Sequence, residues 1–152
     1  MSDDSATWRL GGSAARLLLV GFALLRSDRV AAQGEVAAGR AVAHDAAIRI
    51  TSHTGTLRIT AWSRDSLDVR GRVDTGVGRF YFGGSAEALK LGVEPRADGA
   101  PDGVADLDVQ VPAGARLWIQ SSAADIEVTL AGGTAEVVTA GGRVRLAGTA
   151  RE

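Results

Sequence analysis

Residues 117–146, LWIQSSAADIEVTLAGGTAEVVTAGGRVRL, contain one pattern written twice. Ile119, Ile126 and Val128 recur 18 residues later as Val137, Val144 and Leu146, with small polar residues and glycine filling the gaps. Ile50, Leu57 and Ile59 repeat the same internal spacings of seven and two. Equal spacing in successive units is what stacked β-strands require. Neighbouring strands lie about 4.8 Å apart, so equivalent side chains must fall in register.

Working outward, apolar and polar residues alternate in segment after segment, the period-two signal of a half-buried strand. Ile48 and Ile50 flank Arg49, and Leu57 and Ile59 flank Arg58. Leu67 and Val69 alternate with Asp68 and Arg70, while Leu107, Val109 and Val111 alternate with Asp108 and Gln110. SAEALKLGVE at 85–94 is ambiguous between helix and strand and reads as a strand. Turn clusters separate these runs: HTG at 53–55, SRD at 63–65, GG at 83–84, PDG at 101–103, PAG at 112–114, and GG at 132–133 and 141–142. Glycine, proline and aspartate supply the backbone angles and local hydrogen bonds that turns need.

The expected fold is therefore all-β, a single-domain β-solenoid with coils of about 18 residues. A β-sandwich is the alternative, since it buries the same alternating faces but does not demand equal spacing. The period is lost over 74–103, which reads as an inserted hairpin or a longer coil.

At the N-terminus, the apolar run LLLVGFALL (17–25) follows Arg9 and Arg16 and precedes Val30-Ala31-Ala32. That is the layout of a secretory signal peptide, with cleavage after Ala32. The run is too short for the roughly 20 residues of a membrane-spanning helix. The expected division is a signal helix at 1–32, a linker at 33–45 and the strand-repeat domain at 46–152.

Composition narrows the function. The 152 residues carry a formal charge of −1, with no basic stripe to neutralise phosphates, so nucleic acid is not an expected partner. Cysteine is absent, which excludes disulfides, thiolate metal sites and cysteine nucleophiles.

Several residues invite a functional reading. Gly76-Val77-Gly78, Arg79 and Phe80-Tyr81-Phe82 sit where a glycine-rich phosphate loop would, but Tyr81 takes the third glycine position, so a turn entering an aromatic strand is expected. Alternation puts Phe80 and Phe82 on one face and Tyr81 on the other, and Tyr81 beside Trp62 or Trp118 would make a ligand platform. Asp98, Asp102, Asp106 and Asp108 have the oxygen chemistry of a calcium site, but their spacing matches no calcium loop. His44 and His53 have no partner at ligand spacing. Ser121 and Ser122 precede Asp125 without a nearby histidine and read as turn residues. Arg143 and Arg145 are expected to form cross-strand charge pairs with Glu127 and Glu136. No catalytic, cofactor or metal residue is assigned.

The order ITSHTGTLRITAWSRDSLDVRG (50–71), FYFGG, LKLGVE, ADLDVQVPAGARLWIQSSAADIEV and VVTAGGRVRLAG resembles the bacterial putative-adhesin family of β-strand-repeat proteins. DVQVPAG and the Thr139–Gly142 turn carry the likeness, which covers residues 46–148. The resemblance implies a signal peptide, a β-solenoid and an adhesin-like role. With the signal-like N-terminus, the 18-residue repeat and no catalytic constellation, the expected protein is a non-enzymatic, exported interaction or structural module of the cell envelope or surface. Its expected partner is an envelope protein or a surface glycan. Members continue through further coils after VPAG, whereas here about two follow. A truncated chain or self-association through an open C-terminal strand edge is therefore expected. The reading from another class is a carbohydrate-active β-helix enzyme, with Asp125, Glu127, Arg143 and Arg145 as its acidic and basic groups.

Overall fold

The computed structural model describes residues 34–97 and 103–148. The expected signal helix at 1–32 lies outside these residues, as do Asp98 and Asp102. Eleven strands and no helix occur among them: β1 (Glu35–Ala41), β2 (Ala47–Ser52), β3 (Gly55–Trp62), β4 (Ser66–Val73), β5 (Gly78–Gly84), β6 (Ala88–Pro95), β7 (Ala105–Pro112), β8 (Arg116–Ser121), β9 (Asp125–Leu130), β10 (Thr134–Thr139) and β11 (Val144–Gly148). They form a six-stranded sheet in the order β1-β4-β7-β3-β9-β11 and a five-stranded sheet in the order β10-β8-β2-β6-β5.

Alternation explains why two sheets form. Along β7 the burial pattern alternates in and out as far as Val111, with Leu107, Val109 and Val111 inside and Asp106, Asp108 and Gln110 outside. The inward side chains of both sheets meet in one core. In the five-stranded sheet, Ile48 and Ile50 lie between Leu89 and Leu91 on one side and Leu117 and Ile119 on the other. In the six-stranded sheet, Leu57 and Ile59 lie between Leu107 and Val109 and between Ile126 and Val128. These twelve side chains are at most 4% exposed. Each fully buried Leu or Ile favours the folded state by about 1.5–3 kcal/mol.

The 18-residue displacement survives as ladder register: Thr134 stands opposite Arg116 and Val144 opposite Ile126, both in parallel pairs. A β-solenoid does not follow. In such a fold each coil stacks on its neighbour in sequence, but here the unit β2/β3 sits between β6/β7 and β8/β9. Antiparallel strands complete the sheets, with β4 on β7, β1 on β4, and β5 on β6. The result is an all-β, two-layer arrangement of mixed sheets. Equal spacing reports that strands share a register; it does not report which unit lies next to which.

One further segment differs from the sequence reading, and one agrees with it. The linker expected at 33–45 contains β1, whose low-contrast sequence EVAAGRA hides the half-buried Val36 and Ala38. Residues 78–95, inside the stretch where the period fails, form the β5–β6 antiparallel hairpin. SAEALKLGVE contributes most of β6, as a strand.

The connections decide what the surface looks like. His53 and Thr54 join β2 to β3 across the two sheets. Gly55 begins β3 at φ +92°, and a Cβ there would lie 2.3 Å from the Ala105 carbonyl oxygen, so the tight passage requires glycine. At one end of the stack the chain crosses from β1 towards the β5–β6 turn. Val42 N–H donates to the Asp65 carbonyl, Ala43 N–H to the Ala86 carbonyl, and the Arg40 guanidinium to the Gly84 carbonyl at 2.7 Å. The opposite end is formed by β10 and β11.

Candidate functional site

The outer face of the six-stranded sheet is the most organised polar surface of the molecule. Strand order places Arg70, Asp108, Arg58, Glu127 and Arg145 side by side on β4, β7, β3, β9 and β11, a row of alternating sign. Arg58 holds its centre. Its Nη1 donates to Asp108 Oδ1 at 3.1 Å and its Nε to Glu127 Oε2 at 3.5 Å. The hydrogen bond and charge of Asp108, followed by those of Glu127, raise the Arg58 pKa above its usual value, so the guanidinium stays charged. Arg70 turns along its own strand to Asp68, at 3.0 Å. All these groups are solvated, which makes the row a recognition surface more than a stabilising one.

Two shallow concavities flank Arg58. One is floored by Thr60, Val109 and Gln110 and bounded by Trp62, Arg64 and Asp68. The Arg64 guanidinium lies over the Trp62 ring, 5.0 Å from its centroid, and Trp62 Nε1 donates to the Ser66 carbonyl at 2.8 Å. This indole is therefore fixed in orientation with one face covered by a cation. The other concavity is lined by Thr56, Asp125, Ile126, Glu127, Arg143 and Arg145. All four residues of the carbohydrate-enzyme reading thus meet in one place. Asp125 Oδ1 accepts the Arg143 backbone N–H at 2.8 Å and ties the start of β11 to β9.

The expected charge pairs form differently. Glu136 lies on the outer face of the five-stranded sheet, away from Arg143 and Arg145. Glu127 is adjacent to Arg145 in register but bonds Arg58. On the Glu136 face, register places Glu136, Trp118, Arg49 and Lys90 in one row. The Arg49 guanidinium stacks 4.0 Å from the Trp118 ring centroid.

The aromatic residues do not combine into one platform. Phe80 and Phe82 pack against the core and Tyr81 points outward beside Gly92, as alternation requires. Tyr81 is on β5, however, with β6 and β2 between it and the Trp118 strand, while Trp62 belongs to the other sheet. Three strand spacings of about 4.8 Å keep Tyr81 and Trp118 roughly 14 Å apart. Gly76-Val77-Gly78 is a turn into β5: Val77 is buried and donates its N–H to the Asp74 carbonyl.

Asp106 and Asp108 alternate on the wet face of β7, and Asp106 Oδ1 accepts the Thr56 N–H. Among the described residues no group of three or more His, Asp or Glu side chains is placed to hold a metal ion. His44 Nδ1 lies 3.1 Å from Asp65 Oδ1 at the surface. Sequence reading found no histidine near the serines, yet folding brings His53 Nδ1 to 3.2 Å from Ser122 Oγ, across adjacent turns. A nucleophile–base pair of this kind needs a third group to orient the imidazole. His53 Nε2 is buried with no hydrogen-bond partner among the described residues, and Asp125 bonds the Arg143 amide instead. Ser121 Oγ accepts the Ala124 N–H, the turn role expected of it.

No protein-family model matches the sequence, and no curated protein matches it. Two solved bacterial structures are similar to it in outline. A "putative cell adhesion protein" from Clostridium sporogenes is 8% identical with a TM-score of 0.47, over 75% of this chain and 58% of that one. A "putative adhesin" from Parabacteroides distasonis is 14% identical with a TM-score of 0.37, over 75% and 56%. The chain spans less than two thirds of either structure. The family resemblance therefore rests on the strand and turn order around DVQVPAG.

Proposed function

We propose that the protein is a non-enzymatic, exported interaction module of a bacterial cell envelope, which presents the outer face of its six-stranded sheet to a macromolecular partner in the manner of an adhesin. The observation that carries this reading is the row Arg70, Asp108, Arg58, Glu127 and Arg145. Five strands at about 4.8 Å spacing make it roughly 19 Å wide, a span suited to a macromolecule and not to one small ligand. Its signs alternate, three guanidinium groups against two carboxylates, so a polyanion would meet a carboxylate beside every guanidinium. A partner surface of mixed charge, on an envelope protein, fits better. The signal-like layout at residues 9–32 supports export, and the likeness around DVQVPAG supplies the adhesin-like role.

Cell fractionation with crosslinking tests both halves. The processed chain should appear in the envelope or medium, and crosslinking to envelope proteins should fall when Arg58 is replaced by Glu. An intact chain confined to the cytosol contradicts export. Undiminished crosslinking by a folded Arg58→Glu variant contradicts the assignment of this face.

A second reading is favoured by one observation: Asp125, Glu127, Arg143 and Arg145 share a concavity. There the protein would bind or cleave an acidic or neutral polysaccharide, its arginines contacting carboxylates or hydroxyls. Binding or cleavage in a glycan screen that survives alanine at all four positions removes it.

A further inference from the structure

Among the described residues, the unit formed by β10 and β11 leaves its inward side chains partly exposed. Val144 and Leu146 stand opposite Ile126 and Val128, yet they are 37% and 62% exposed where those partners are 2% and 1% exposed. In β10, Val137 is only partly buried, although its register partner Ile119 is fully buried. Beyond these side chains, β10 and β11 are the edge strands of their two sheets. Both edges lie at the same end of the molecule.

We propose that a second copy of the chain covers this end, related by a two-fold axis parallel to the strands, so that β11 of each copy pairs antiparallel with β10 of the other. The connection at 140–143 reverses the chain, and β10 and β11 therefore run in opposite directions. A two-fold axis along the strands preserves each direction and swaps the sheets, which is what an antiparallel β10–β11 pairing requires.

Charge selects this arrangement over its competitors. Pairing β11 with its own copy sets Arg143 and Arg145 against the same arginines, and pairing β10 with its own copy sets Glu136 against Glu136. Like charges facing each other across strands are destabilising. The crossed arrangement instead sets Arg145 opposite Glu136, twice per dimer by symmetry. Neither residue belongs to an ion pair among the described residues. In the same register, Val144 faces Val137 and Leu146 faces Ala135 on the inner side. The stem of Arg143 then lies along Val138, itself 48% exposed. The inner apolar rows and the outer charge pair agree on one register.

The test exploits the fact that Glu136 and Arg145 lie on different sheets of one chain, so any pairing between them must join two copies. Sedimentation velocity of the full chain over a wide concentration range should show reversible dimerisation that weakens with salt. Arg145→Glu alone and Glu136→Arg alone should each weaken it by on the order of tenfold or more, because each homodimer then carries two like-charged contacts. Mixing the two variants in equal amounts should restore dimers to near the unsubstituted affinity, since both contacts in the mixed dimer become complementary.

A chain that is monomeric throughout, one that forms open-ended filaments, or a mixture that associates no better than its components overturns the proposal. Circular dichroism monitors folding of each variant. Leu146→Asp supplies a second check: it should keep the fold and abolish the dimer, and dimers that persist in it also overturn the proposal.

Discussion

Ile59 and Leu146 occupy one inner row of the six-stranded sheet, Val109-Ile59-Val128-Leu146, and have side chains of equal carbon count. Sequence spacing makes their positions equivalent; the structure does not. Ile59 is fully buried between two strands, so Ile59→Ala leaves a cavity that neighbours on both sides fill poorly, a loss of about 2–5 kcal/mol. Leu146 is 62% exposed. With about a third of the benefit of a fully buried leucine remaining to lose, Leu146→Ala should cost about 0.5–1 kcal/mol. Urea unfolding followed by the fluorescence of Trp62 and Trp118, at concentrations low enough to keep the chain monomeric, gives both values. Ile59→Ala should lower the midpoint substantially with an unchanged slope, and Leu146→Ala should barely move it. Equal losses would mean that the row is closed at β11 within a single chain, and the reasoning would fail.

Other consequences follow from single contacts. Gly92 has φ +149°, and a Cβ there would lie 2.1 Å from the Thr51 carbonyl oxygen in the adjacent central strand; Gly92→Ala should destabilise by more than about 2 kcal/mol in the same urea assay. Ser85 hydrogen-bonding, followed by the Glu87 backbone amide, holds the Glu87 carboxyl below its ordinary value of 4.5. Because the folded-state value is depressed, this contribution to stability is present above the ordinary value and is lost as pH falls through the folded one. An NMR titration should place the Glu87 midpoint below 4.5 and move it upward in Ser85→Ala. Asp125→Ala removes the acceptor for the Arg143 amide, so hydrogen exchange at Arg143 should quicken while Ile59 stays protected.

Much of the fold was legible because alternation is a local signal. Leu107, Val109 and Val111 announce a strand and its dry face without reference to any other residue, and the 18-residue spacing of Ile126 and Val144 announces their parallel register. Sheet order is a different kind of information. Nothing in ITSHTGTLRIT says that β2 and β3 lie between units that begin at Ala88 and Arg116, because all the units offer similar apolar rows. β1 was equally hidden, with only Val36 and Ala38 to mark its inner face. The charged row inherits this limit. Arg58 meets Asp108 and Glu127 across 50 and 69 residues, and only the order β7-β3-β9 brings them together. His53 and Ser122 were separated in sequence by the same 69 residues and were missed for the same reason. Val144 and Leu146, on the edge strand β11, are exposed among the described residues.

The order of the strands underlies the Arg58 row and the register of the open end alike, and crosslinking tests it directly. The chain has no cysteine of its own, so engineered pairs report without interference. Thr60 is the register neighbour of both Gln110 and Thr129, which puts it between them. A disulfide needs Cα atoms about 4.4–6.8 Å apart, a condition that adjacent strands meet and strands two spacings apart, at roughly 9.6 Å, do not. Mild oxidation should close an intrachain disulfide in Thr60→Cys/Thr129→Cys and leave Gln110→Cys/Thr129→Cys reduced. Closure of the second pair and not the first would show that the units stack in sequence order, and would contradict the account.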